Sequence, residues 1–131
     1  MKMSEQSFIV LKRVKDLHPI EGYIEELLQK VYISTVIDGY WTNAIKIEKH
    51  NLILDGHHRF ELAKRYNLNY IPVVIFDYND VDMWSLRKEI KITKNDVIRN
   101  SLNGNLYPNK TVKHKFPDVN CKCKIKLMDL R

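Results

Sequence analysis

The chain has 131 residues, with 22 Lys plus Arg against 16 Asp plus Glu and a formal charge of +6. Hydrophobic residues make up 44% and charged residues 29%, with only 4 Gly and 4 Pro, which excludes a disordered, collagen-like or coiled-coil chain. The length suits one domain over residues 1–131 with a core of its own, and the longest apolar run, Ile71 to Phe76, is far too short to span a bilayer.

The basic balance suits an anionic partner, whether nucleic acid, nucleotide or phosphorylated metabolite, without choosing among them. Met1 to Gln6 are polar and carry no cleavable apolar segment, so the expected location is cytoplasmic. Cys121 and Cys123 are one residue apart, a poor disulfide geometry with no second pair to complete a zinc site, and are expected to be reduced.

Ser7 to Val14 reads as a strand. From Glu21 to about Val36, the apolar residues Ile24, Leu27, Leu28 and Val31 fall at helical spacing, and Asp38-Gly39 stops that helix. Ala44 to Glu48 and Leu52 to Leu54 predict a hairpin through Lys49-His50-Asn51. A helix with Phe60, Leu62, Ala63 and Tyr66 on its apolar side follows and closes near Asn67. Ile71 to Asp77 is nearly all apolar, the pattern of a strand buried on both faces.

Trp84 to Ile92 is read as a strand. Thr93 and Asp96 form a helix start that runs to Asn103-Gly104. Leu106 to Pro117 is read as irregular and basic. In the tail, 118–131, Cys121, Cys123, Ile125 and Leu127 alternate with three lysines, a half-buried terminal strand with a solvated lysine face. Trp41 and Trp84 are read as packing residues, and His18 and His50 belong to no constellation. The fold class is mixed α/β (α+β), a small mixed sheet with packed helices.

The chemistry concentrates in Leu52 to Ala63, a strand, a glycine turn, then a helix that starts with His57, His58 and Arg59. Unpaired amides at a helix start, with the positive end of its dipole, make an anion site. Gly56 allows close approach of the backbone, and Arg59 offers a bidentate fork for phosphate oxygens. Asp55 ends the strand where it can hold a metal ion or orient a hydroxyl. The same junction is common as a mere structural connection. Neighbouring histidines on a helix point about 100° apart, which argues against a shared metal.

Asp55-Gly56-His57-His58-Arg59, followed by a short helix and Ile71-Pro72-Val73-Val74, resembles the ParB/sulfiredoxin-like superfamily, and within it the free L-serine kinases. Two further segments carry the narrower resemblance. Leu17-His18-Pro19-Ile20-Glu21 is similar to the kinases' early motif, and Leu106-Tyr107-Pro108-Asn109-Lys110-Thr111-Val112-Lys113-His114 is similar to their late Pro-x-Lys-Thr-Thr-Arg-His segment. The likeness covers about Val14 to Pro117. Val112 stands where the kinases have a second threonine and Lys113 replaces an arginine, a point charge in place of a planar fork.

The resemblance implies phosphoryl transfer from ATP or ADP to the hydroxyl of free L-serine, with Mg²⁺. Glu21 and Asp55 would be the catalytic carboxylates, with Asp55 also associated with the metal. Gly56, His57, His58 and Arg59 would bind the nucleotide phosphates, and Thr111, Lys113 and His114 the serine or its phosphate. The alternative is a ParB-like nucleotide-responsive DNA-binding regulator. Against it, one helix, Thr93 to Asn103, stands without the partner that a groove-reading helix needs. A sulfiredoxin-like activity would need a reactive cysteine where His57 and His58 stand.

Overall fold

The computed structural model describes residues 8–131. Within them the chain forms β1 (Ile9–Arg13), α1 (Glu25–Asp38), β2 (Tyr40–Asn43), β3 (Ile45–Glu48), β4 (Ile53–Asp55), α2 (His57–Arg65) and β5 (Tyr70–Phe76). It continues through β6 (Asp82–Ser85), α3 (Lys94–Leu102), β7 (Val112–Lys115), β8 (Lys122–Lys126) and a closing 3₁₀ turn, Leu127–Leu130. This is the expected mixed α+β class.

One sheet has the order β1-β5-β3-β4, with β5 antiparallel to β1 and parallel to β3. Flanked on both sides, β5 buries Ile71, Val73, Val74 and Phe76, which accounts for its nearly continuous apolar sequence. The hairpin β3–β4 pairs Lys46 with Asp55. From β4 the chain crosses back through α2 to β5, so α2 lies against the sheet and buries Phe60, Leu62 and Ala63 with Ile47, Ile53 and Val73. A second cluster gathers Ile20, Leu52, Leu54, Val74, Phe76, Val97 and Val112. Two ribbons, β2–β8 and β6–β7, complete the strands. No helix among the described residues is long and apolar enough to cross a membrane.

Four details differ from the sequence reading. The first helix starts at Glu25, because residues 18–22 are extended: His18 bridges Leu52 and Glu21 bridges Tyr107. Of its periodic apolar residues only Leu28 is fully buried, while Ile24 and Leu27 are exposed. The strand expected over Trp84 to Ile92 is β6, which ends at Ser85. There the Ser85 hydroxyl accepts the N–H of Arg87 (3.1 Å) and donates to its carbonyl (2.9 Å), turning the chain out of the ladder.

The segment read as irregular contains β7, which pairs Lys113 with Trp84 and His114 with Met83. Val112 and His114 face inward and Lys113 and Lys115 outward, an alternation hidden by a histidine on the buried side. Finally, Trp41 is fully buried but Trp84 is 44% exposed, so only the first is a packing residue. The capped start of α3 follows the expectation: Thr93 Oγ1 accepts the N–H of Asp96 (3.1 Å) and Asp96 accepts that of Thr93 (2.9 Å). Both cysteines are free thiols, Cys123 on β8 and Cys121 just before it.

Candidate active site

Gly56 is where the site begins. It sits at φ +108°, and a Cβ there would stand 2.6 Å from Ile45 Cγ2 and 2.8 Å from Ile45 Cβ. Only glycine fits both the left-handed backbone and the close approach to β3. It serves as N-cap of α2 with no side-chain cap, so the first amides of the helix have no partner within it and form a small positive pole.

A cleft of ≈ 680 Å³ opens at this pole. Glu21, Asp55, Gly56, His57, His58, Arg59, Lys113 and His114 all line it, with Lys46 and Lys110 beside them. Asp55, at the end of β4, is exposed, and no hydrogen bond or ion pair engages its carboxylate among the described residues. Arg59 is equally unengaged. The site therefore offers an open carboxylate and an open guanidinium on either side of an uncapped helix start.

Glu21 is held differently. Its Oε1 accepts the N–H of Lys110 (3.2 Å), and its Oε2 accepts those of Thr111 (3.0 Å) and Val112 (2.5 Å). Removal from water nevertheless outweighs these amides and the nearby positive charge of Arg87, and the carboxyl is pushed above its ordinary value. The result is a fixed carboxylate with raised basicity.

The two histidines hold the backbone of the segment that carries this carboxylate. His57 Nε2 accepts the N–H of Ile20 (3.1 Å) and of Glu21 (3.3 Å), and His58 Nε2 accepts that of Ile24 (3.1 Å). An accepting ring nitrogen requires the neutral form. Burial pulls His57 down to about 3, helped by His58 and His114, and also lowers His58. Both rings tie the segment of Glu21 to the start of α2 through Nε2, and in this neutral form each carries its proton on Nδ1.

His114 lies 8% exposed beneath the cleft. It hydrogen-bonds the Leu54 backbone, and its Nε2 meets the Tyr78 hydroxyl at 2.8 Å. Burial lowers its pKa to about 4 against the opposing effect of the Leu54 bond, with Lys94 and Lys113 adding to the decrease. A neutral ring that donates Nδ1–H to the carbonyl leaves Nε2 to accept from Tyr78.

Thr111 is the one expected site residue that does not line the cleft. It is fully buried; its hydroxyl donates to the Pro108 carbonyl (2.7 Å) and accepts from Arg87 Nε (3.1 Å). Its part in the site is the backbone N–H given to Glu21. Sequence reasoning missed Lys46, Lys110, Arg87 and Asn109. The first was findable from the hairpin register opposite Asp55, and two stand within the late motif. Arg87 carried no signal, being hidden in a segment read as strand.

The cleft fits a magnesium ion in one respect. Mg²⁺ takes one or two carboxylates together with phosphate oxygens and water, and Asp55 is an unengaged carboxylate beside a phosphate-type helix start.

The same fold is found in free serine kinases of known structure. A free serine kinase in complex with AMP superposes with a TM-score of 0.86 at 16% identity, over 94% of this chain and 93% of the other. A free serine kinase mutant with one glutamate replaced by alanine, in complex with ADP, gives 0.85 at 16% identity over 94% of both chains. SbnI with a C-terminal truncation, from Staphylococcus aureus, gives 0.81 at 11% identity over 95% and 89%. No family model and no curated protein matches the sequence. What is shared is the fold.

Proposed function

We propose that this protein is a cytoplasmic phosphotransferase that moves a phosphoryl group from ATP or ADP to the hydroxyl of free L-serine, giving O-phospho-L-serine. The observation that carries the reading is the pairing, in one cleft, of a clamped, desolvated Glu21 with an open Asp55 beside the uncapped start of α2. The shared fold with kinases solved with AMP and ADP supports the same reading.

Phosphoryl transfer asks a protein mainly for positioning and charge neutralisation. In this reading the amides at the start of α2 and Arg59 receive the phosphates. Lys46, Lys110 and Lys113, all on the cleft, offset the remaining negative charge. Glu21 takes the proton of the serine hydroxyl as the new oxygen–phosphorus bond forms and the terminal phosphoanhydride bond breaks, releasing ADP from ATP or AMP from ADP; its raised pKa makes it the stronger base. Asp55 would hold Mg²⁺, which when bound neutralises charge on the phosphate oxygens. His57 and His58 orient Glu21. His114, with both ring nitrogens engaged, forms the wall of the serine site, and Lys113 is the cation available to its phosphate.

Mass spectrometry of the products formed with Mg²⁺, ATP or ADP, and L-serine tests the proposal. O-phosphoserine is the expected product. Nucleotide binding without it, together with retardation of duplex DNA, would replace the kinase by the DNA-binding regulator.

A further inference from the structure

Two polar groups near Glu21 keep hydrogen-bonding capacity that no group among the described residues uses. Arg87 is half-buried, and its Nε donates to Thr111 Oγ1 at 3.1 Å, while no carboxylate among the described residues pairs with its guanidinium. The terminal nitrogens, the two that grip a planar anion, make no hydrogen bond. The group is held firmly all the same. The Ser85 hydroxyl clamps the Arg87 backbone, Leu86 N–H donates to the Thr111 carbonyl (2.8 Å), and Leu86 lines the cleft. The guanidinium is also close enough to Glu21 for its charge to act on that carboxylate.

The second group is Asn109. Its Nδ2 donates to the Gly22 carbonyl at 3.2 Å, which fixes which end of the amide is oxygen, and Oδ1 is buried without any hydrogen-bond donor. An unmet buried acceptor is a standing cost to the fold. The residue lines the cleft, next in sequence to the amides that hold Glu21. An unpaired cation and an unpaired acceptor thus stand close to the same carboxylate.

We propose that Arg87 and Asn109 form a head-group site for a zwitterionic α-amino acid, Arg87 taking the α-carboxylate through its terminal nitrogens and Asn109 Oδ1 accepting from the α-ammonium. The inference rests on the reading of the cleft as an amino-acid kinase and names what selects its substrate. A hydroxyl carried on the neighbouring carbon then falls to Glu21. Thr111 becomes a positioning residue for Arg87, which explains why its hydroxyl is turned away from the cleft. The bidentate fork, absent at Lys113, is supplied by Arg87.

The test compares L-serine with two smaller hydroxyl compounds, ethanolamine, which lacks the carboxylate, and 3-hydroxypropanoate, which lacks the ammonium. Arg87→Ala is expected to lower kcat/KM for L-serine by roughly 10- to 100-fold, mostly through KM, and that for ethanolamine by a clearly smaller factor. Asn109→Ala is expected to lower kcat/KM for L-serine by a clearly larger factor than that for 3-hydroxypropanoate. Arg87→Lys should recover part of the loss. Equal losses on a substrate and its truncated analogue would mean the residue only supports the fold, and an unchanged KM for L-serine would overturn its role outright. If the unaltered protein binds ADP but phosphorylates none of the three compounds, the kinase reading fails and this inference with it. Activity retained in the variants would sink the inference alone.

Discussion

His57 Nε2 accepts the backbone N–H of Glu21 at 3.3 Å, so a side chain from the phosphate-type turn holds the residue whose carboxylate faces the same cleft. The same nitrogen also accepts from Ile20, and the opposite side of the Glu21 segment is tied to Tyr107 by a bridge. The early motif, the glycine turn and the late motif thus form one mechanical unit, although 36 residues separate Glu21 from His57. A base for proton transfer gains from such fixing, because its reach to the substrate is set before binding.

Replacing His57 by phenylalanine should leave the N–H groups of Ile20 and Glu21 without an acceptor. Each buried unmet donor costs about 1–3 kcal/mol, so a loss of about 2–4 kcal/mol is expected, read as a lower denaturant midpoint. Turnover should fall further than stability explains at a temperature where the variant remains folded. His57→Gln, which can still accept, should recover part of both.

Gly56→Ala should be among the most damaging single-methyl changes in the chain. The left-handed backbone disfavours it, and the new Cβ would meet Ile45 atoms at 2.6 and 2.8 Å, so β3 or the turn must shift. About 2–4 kcal/mol is expected from the two effects. Gly22→Ala is the control, since nothing lies within 4 Å of its Cβ position. Chemical unfolding of the two variants checks the contrast.

Stability should fall as the solution is acidified below about pH 6.5. His57 and His114 have folded pKa values of about 3 and about 4, against an ordinary 6.5. Between those limits the unfolded chain binds more protons than the folded one, so stability rises with pH. Their contribution is whole above about pH 6.5 and is lost as pH falls towards the folded values, at about 1.4 kcal/mol per pH unit for each. Glu21 has the opposite sign, because its folded pKa is raised: its contribution is present below 4.5 and lost as pH rises through the folded value. Unfolding free energies from pH 7 down to pH 5 should show the histidine slope, and His114→Phe should remove about one proton from it.

Much of the frame is legible in the sequence because the signals are local. The Thr93–Asp96 cap, the Gly39 stop and the apolar run of β5 each follow from a few neighbouring residues. The glycine turn is legible for the same reason: Gly56 and Arg59 carry their chemistry in one short stretch. What stays hidden is decided by distant contacts. The sequence does not show that Nε2 of His57 and of His58 accepts backbone N–H groups from residues 20–24, a second task beside any they have at the cleft. Thr111 reads as a substrate contact until Pro108 and Arg87 are seen to engage its hydroxyl. The late start of α1 has the same origin, since Glu21 is drawn into an extended bridge with Tyr107.

The central claim is that Glu21 and Asp55 together transfer phosphate to the serine hydroxyl. Phosphorus NMR of the protein with Mg²⁺, L-serine and either ATP or ADP tests it most directly, beside Glu21→Gln and Asp55→Asn. Asp55 is exposed and unengaged, so Asp55→Asn should fold as the parent does and serves as the cleaner variant. The account predicts an O-phosphoserine resonance that grows with the parent protein and falls by roughly 100-fold or more in rate with either variant. No such resonance from the parent with either donor, or undiminished growth with both variants, would contradict it.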